Sequence, residues 1–451
     1  MIGISLFASG GIGDLALNNV GVDVVIANEL IKERAEVFRS NFPYCKMIIG
    51  DINQVYSEII DETKHALKGR NLDFIIATPP CQGMSKNGRG KLLSLIRKGE
   101  RPKLDTRNQL IVPTINIVKE LSPEIVVFEN VPEMKDTLIE YDNKLINIID
   151  FINEELSPLG YFGSAEVVEF ADYGVPQRRQ RLITIYSKNE SLVSYFKKHF
   201  SYLPRTTHSN NDKTKKSWLT VRDVISEVPE LDAKDKTTSI SQKIPFHRVP
   251  LLDKDKYFWV SNTPPENGAF DNQCVSCGYD ENPTHGSSKD KNGINRANKD
   301  TPLYCINCGE LLPRPWVKKG DNYRLMKGYT SAYRRMKWDL PATALTTNLS
   351  YACSDSKLHP DQNRVLSLFE AFIIHTIDKY EYKWKRTDNK KVSDKLIREI
   401  IGESIPPKGL EVILKHVVEI YQSIQTTLPS KEEQMRLFQE PIECYNLSPE
   451  L

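Results

Sequence analysis

Cys81 follows an apolar run and a double proline, in Phe74-Ile75-Ile76-Ala77-Thr78-Pro79-Pro80-Cys81-Gln82-Gly83-Met84-Ser85. Proline neither donates to a ladder nor continues a strand, so the sulfur is expected at the carboxyl edge of a buried strand. In open α/β sheets that edge is where ligands bind. A thiolate there is a nucleophile, while a small buried thiol fits the same pattern. A second apolar run, Ile125-Val126-Val127-Phe128, delivers Glu129-Asn130-Val131-Pro132 to the same kind of edge. Consecutive strands are often neighbours, which would set thiol and carboxylate on either side of one pocket. Gln177-Arg178-Arg179-Gln180-Arg181 then enters another strand, whose alternation projects Arg179 and Arg181 to one side. They read as fixed cations or as plain surface arginines.

Four further cysteines suggest a separate chemistry. Cys274-Val275-Ser276-Cys277-Gly278 and Cys305-Ile306-Asn307-Cys308-Gly309 form two tight turns able to direct four thiolates at one tetrahedral ion. A closed four-sulfur site is structural, so zinc is expected in a folding role. Disulfides are the alternative, but the strand pattern beginning at Ile2 leaves no room for an export leader. A reducing cytoplasm is the expected location.

The elements that must position these groups follow an alternation of short apolar runs and amphipathic stretches. Strands are expected near 2–7, 22–27, 47–49, 73–77, 125–128, 164–170 and 182–186, with helices beginning near Asp14, Leu30, Asn108 and Asp142. That is the form of an α/β, mostly parallel, doubly wound Rossmann-like sheet. The first turn, Phe7-Ala8-Ser9-Gly10-Gly11-Ile12-Gly13, is glycine-rich; Glu29 ends the second strand and Asp51 the third. An adenosine-type ligand fits all three positions, and helix-capping or solvated carboxylates remain the plain reading. Residues 83–107 carry Lys86, Arg89, Lys91, Arg97, Lys98, Arg101, Lys103 and Arg107 against Glu100 and Asp105. A basic loop beside a reactive edge suits phosphate, or is a solvated charge run.

The 451 residues suffice for two or three domains. Hydrophobic residues make up 39% and charged residues 27%, and no run approaches the roughly 18 apolar residues of a membrane span. Net charge is only +2, so a nucleic-acid partner must be argued from where the basic residues lie. Between residues 314 and 337 eight basic residues and one acid interleave with Trp316, Tyr323, Tyr329 and Tyr333. Such interleaving suits phosphate and stacking contacts, with a solvated face over a few core aromatics as the alternative.

Taken in order, Phe7-to-Gly13, Glu29, Asp51, Pro80-Cys81-Gln82, Glu129-Asn130-Val131 and Gln177-to-Arg181 resemble the DNA cytosine-5 methyltransferase family. The resemblance resumes at Arg364-Val365-Leu366-Ser367-Leu368-Phe369-Glu370-Ala371 and Ile401-Gly402-Glu403-Ser404-Ile405-Pro406-Pro407. It covers residues 1–187 and about 341–420. Ser9 departs from a usual glycine and Glu403 from a usual asparagine. The resemblance implies a methyltransferase sheet (1–190 and 341–430), a smaller target-recognition domain (191–340) with a zinc-ribbon-like insert, and a tail (431–451). It implies S-adenosylmethionine held by Phe7, Ser9, Gly11, Ile12, Glu29, Leu30, Asp51, Ile52, Pro80 and Ser404. Cys81 would add to C6 of a cytosine flipped from duplex DNA, and Glu129 would protonate or hydrogen-bond N3. Arg181 would lie near O2 and the carboxylate, with Arg179 in support. Gln82, Ser85, Arg89 and Asn130 would meet the substrate. A monomer of prokaryotic restriction–modification type is implied, with a cognate restriction endonuclease as partner. A tRNA methyltransferase and an inactive DNA-binding relative are the competing readings.

Overall fold

The computed structural model describes residues 1–80, 105–284, 287–289, 295–297, 301–326 and 331–423. Five strands pair in parallel: β1 (Ile2–Leu6), β2 (Asp23–Glu29), β3 (Lys46–Ile49), β4 (Phe74–Ala77) and β5 (Ile125–Asn130). A hairpin of β6 (Leu138–Tyr141) and β7 (Lys144–Asn147) follows, then β8 (Phe162–Glu169), the short β9 (Gln177–Arg178) and β10 (Gln180–Ser187). The seven-stranded sheet runs β3-β2-β1-β4-β5-β10-β8, with β10 antiparallel to both neighbours.

Short apolar runs become strands here because helices cover both faces of the sheet. Every residue of β4 and β5 is buried, and their side chains divide by the two-residue strand period. Ile75, Ala77, Val126 and Phe128 join one hydrophobic cluster; Phe74, Ile76, Ile125 and Val127 join the other. Helices Ile52–Leu67, Ile111–Leu121 and Ile148–Leu156 cover the first face. Helices Asp14–Asn19 and Glu190–His199 and, from far along the chain, Pro407–Ser423 cover the second. The last of these presents Leu410, Ile413, Leu414, Val417, Val418 and Tyr421, an apolar stripe at helical spacing. Burial of each such side chain contributes roughly 1.5–3 kcal/mol.

Two local expectations are corrected. No helix begins near Asp142: Asp142 and Asn143 both take positive φ, 49° and 60°, and reverse the chain between β6 and β7. The helix starts at Ile148, capped by the Asn147 side chain on the Ile149 amide. Helix Ile52–Leu67, absent from the reading above, starts from Asp51, whose side chain accepts from the Asn53 amide.

The middle of the chain is built differently. Between His208 and Thr343 the described strands are two to four residues long, and a separate cluster gathers Trp259, Phe270, Trp316, Tyr333, Leu358 and Val365. Trp259 meets Trp316 and Tyr333 edge-on. Trp316 and Tyr333 are therefore core aromatics rather than exposed stacking groups; Tyr329 lies outside the described residues. No helix among the described residues is long and apolar enough to cross a membrane.

Candidate active site and cysteine cluster

The sheet order brings the candidate residues into one row along the carboxyl edges: Asp51 after β3, Glu29 on β2, the glycine-rich turn after β1, Pro79-Pro80 after β4, and Glu129-Asn130 on β5. Cys81, Gln82, Ser85 and Arg89 lie outside the described residues. What is described is the turn that leads to them. The Thr78 hydroxyl donates to the Phe7 carbonyl (3.1 Å), and the buried Asn130 amide donates to the Pro79 carbonyl (2.9 Å). Thus β1 and β5 grip the double-proline turn from both sides. Asn130, expected at the substrate, uses its amide for this grip.

Glu129 is 5% exposed and accepts from Arg181 Nε at 2.8 Å. Burial pushes its carboxyl above the ordinary range, and the opposing fields of Arg181 and Arg179 do not cancel that rise. It is a buried carboxyl paired with a fixed cation. The charge of Arg179 also bears on it, while its guanidinium donates to the carbonyls of Leu345 (2.7 Å), Gly402 (3.0 Å) and Ser404 (2.7 Å). Arg179 lies between β9 and β10 rather than within a strand, and ties the C-terminal motif to the sheet.

At the other end of the row, Glu29 accepts from the amides of Ser9 and Ile31, each at 2.8 Å, and burial raises its pKa. Phe7 and Ser9 hold positive φ, 61° and 49°, an arrangement that costs non-glycine residues energy and clusters at functional sites. The Ser9 hydroxyl is buried with no partner. Leu30 stands exposed beside Glu29, whereas Ile12 and Ile52 point into hydrophobic clusters. Asp51 spends one oxygen on its helix cap. The final motif packs over this row. A Cβ on Gly402 would lie 2.2 Å from the Thr347 amide nitrogen, so only glycine allows that approach. Glu403, the departure from asparagine, pairs with Arg34 at 2.6 Å, and Ser404 Oγ meets His375 Nε2 at 3.0 Å.

Sequence reasoning missed Thr78, Arg34, His375 and Tyr382, whose hydroxyl donates to the Gly10 carbonyl at 2.6 Å. It also passed over Asp14, buried beside the glycine turn with its carboxyl pushed up to about 7 by desolvation. Thr78, next to the double proline, and Asp14, next to the glycine turn, carried a local signal.

The four cysteines converge. Their sulfurs all lie within 4.8 Å of one another, with Cys274–Cys308 at 3.6 Å and Cys277–Cys305 at 3.8 Å. A tetrahedron with metal–sulfur bonds of about 2.3 Å has edges of about 3.8 Å, so the donor set fits zinc. Asn307 and Asn282 aim amide donors at Cys277 and Cys305, both at 3.6 Å. The Asn307 bond leads the lowering of the Cys277 pKa.

Residues 1–419 match the family described as C-5 cytosine-specific DNA methylase. A similar protein is the type II methyltransferase M1.HgaI of Avibacterium volantium, 29% identical over 92% of this chain and 98% of its own length. Type II methyltransferase M.HhaI of Haemophilus parahaemolyticus is 31% identical over 43% of this chain and 51% of its own. Among solved structures, a putative DNA modification methyltransferase encoded within an E. coli prophage shares the fold, with a TM-score of 0.53 at 19% identity, covering 94% of this chain and all of that one.

Proposed function

The chain belongs to the C-5 cytosine-specific DNA methylase family and is an S-adenosylmethionine-dependent enzyme of DNA methylation; from this premise we propose how its residues divide the reaction. Cys81 is the nucleophile. Its thiolate adds to C6 of a cytosine flipped out of duplex DNA, turning the ring into an enamine whose C5 is nucleophilic. Glu129 supplies the proton or strong hydrogen bond that N3 needs as electrons enter the ring. Arg181 orients Glu129 and offsets negative charge developing at O2. Loss of the C5 proton and expulsion of the Cys81 thiolate then restore the aromatic ring.

Bound S-adenosylmethionine supplies an electrophilic methyl group. Glu29 and the strained Phe7–Gly11 turn fit its ribose, the orphaned Ser9 hydroxyl offers a polar contact, exposed Leu30 offers an apolar face, and Ser404 belongs to the facing wall. The order of the row supports this reading: adenosine-binding groups lie on β3, β2 and β1, and base-handling groups on β4 and β5, so the transferable methyl would fall between them. Gln82, Ser85 and Arg89 are assigned to the DNA backbone and the emptied stack.

Residues 191–340 are the target-recognition domain, stabilised by zinc on Cys274, Cys277, Cys305 and Cys308. The enzyme acts as a monomer beside a cognate restriction endonuclease. The single observation that carries the reading is the buried Glu129–Arg181 pair beside the gripped Pro79-Pro80 turn. Transfer of labelled methyl to duplex DNA and to tRNA tests it, with bisulfite sequencing of DNA from expressing cells. Sequence-specific cytosine methylation of DNA is expected; transfer to tRNA alone would replace the substrate assignment, and transfer to neither would leave a binding protein.

A further inference from the structure

His375 ends helix Leu368–Ile374, is 0% exposed, and plays no part in the chemistry above. Its ring links two segments that serve different reactants. Nδ1 lies 3.2 Å from Gln177 Nε2, on the strand that leads to Arg181; Nε2 lies 3.0 Å from Ser404 Oγ, in the wall facing the glycine turn.

The direction of every bond in this chain can be derived. The Leu345 amide donates to Gln177 Oε1 at 2.9 Å, which fixes the side-chain amide and turns its NH2 toward His375. An NH2 only donates, so Nδ1 must offer a lone pair and the ring proton sits on Nε2. Nε2 therefore donates to Ser404 Oγ, and the serine passes its own proton to the Ile401 carbonyl at 3.1 Å. A second proton on the ring would set N–H against N–H at Gln177 in a buried site that also feels Arg179 and Arg181. Burial and both guanidinium charges hold the imidazole well below its ordinary pKa. The ring is thus a neutral, one-way connector.

We infer that His375 is a positioning residue: as a neutral Nε2–H imidazole it sets the Ser404 hydroxyl, and through it the cofactor wall, relative to β9, the short strand just ahead of Arg181 in the chain. Arg179, two residues past Gln177, ties the same stretch to the backbone at Leu345 on one side and at Gly402 and Ser404 on the other. The backbone is thereby held by charge and the hydroxyl by tautomer. The inference rests on Ser404 belonging to the S-adenosylmethionine wall.

The test measures S-adenosylmethionine binding by calorimetry, DNA binding by gel shift and the melting temperature of the full chain, for His375→Leu, His375→Gln, Ser404→Ala and Glu29→Ala. Leucine removes both links and leaves the Gln177 NH2 and the acceptor side of the Ser404 hydroxyl without their His375 partner, so cofactor affinity should fall roughly tenfold with DNA affinity unchanged. Glutamine both accepts and donates, and should recover affinity to within about twofold. Should the leucine variant not fold, the glutamine variant compared with His375→Met gives the same contrast. Equal losses in the leucine and glutamine variants, or no loss in either, would overturn the inference. A loss in His375→Leu with none in Ser404→Ala would overturn the route through the hydroxyl. Silence of Glu29→Ala as well would instead place the failure in the cofactor reading itself.

Discussion

The carboxyl edge of the sheet and the middle of the chain hold their shapes by opposite means. Along the edge, position comes from backbone register: Leu182 faces Asn130 and Ile183 faces Glu129 across β10 and β5, and β4 lies parallel to β5 on the other side. Side chains add the last few bonds, such as Thr78 to Phe7 and Asn130 to Pro79. In the middle, strands are too short to set position. Buried arginines do it instead: Arg314 donates to the carbonyls of Asn272, Pro283 and Pro302, and Arg335 to those of Val260, Thr263, His359 and Gln362. Guanidinium forks stand in for ladders, each gathering loops that no multi-residue sheet among the described residues unites. A ladder loses little when one residue changes; a fork loses several bonds at once.

Substitutions at the edge should therefore destroy chemistry while sparing the fold, and substitutions in the middle should do the reverse. The largest effect is expected for Cys81→Ser, with methyl transfer below detection and DNA binding retained in a gel shift. Retained turnover would refute the nucleophile assignment. Glu129→Gln should lower single-turnover methylation roughly 10²–10⁴-fold, the usual worth of a positioned acid or base. Its stability effect has a definite sign. The folded pKa of Glu129 lies above its ordinary 4.5, so its contribution is fully present below 4.5 and is lost as pH rises through the folded value. Melting curves of the wild type should fall relative to the glutamine variant as pH increases through that window; a gap widening toward acid pH would contradict the burial argument.

In the middle, Arg314→Leu removes three carbonyl-directed bonds and should cost about 2–4 kcal/mol. Hydrogen exchange should show faster opening around Asn272 and Pro302 with β1–β5 unchanged; uniform loosening of both regions would break the contrast. Stripping metal with a chelator should release the two cysteine turns in the same region and weaken DNA binding, as followed by exchange and gel shift. Unchanged exchange and binding without metal would remove zinc from the account. The smallest effect sharpens a single ambiguity: Asp51→Ala should cost about 1 kcal/mol as a lost helix cap. If S-adenosylmethionine affinity falls as well, Asp51 does both jobs.

The same contrast explains what the sequence revealed. Strands β4 and β5 were legible because burial on both faces writes an unbroken apolar run. Glu129 followed from where such a run stops. Helix Ile52–Leu67 was also written, in Asp51 as cap and Ile52, Ile59, Ile60 and Leu67 as stripe; helix capping was one of the two readings of Asp51, but the apolar stripe after it went unread. The hairpin at Asp142-Asn143 hid behind a carboxylate that also starts helices. By contrast, the partners of Arg179 and His375 lie some 29 to 225 residues away in sequence, and no local pattern marks them. Trp316 and Tyr333 looked like a stacking platform because aromatic residues interleaved with basic ones have the same composition in a core and on a surface.

Helix Pro407–Ser423 closes one face of a sheet whose first strand begins at Ile2, and Tyr382 reaches back to Gly10. On the ribosome, at roughly 5–20 residues per second, the strands would emerge tens of seconds before their covering layer. Until that helix arrives, Phe74, Ile76 and Val127 lack part of their apolar cover. Methylation capacity would thus appear only after that helix has been made, a delay built into the order of the chain.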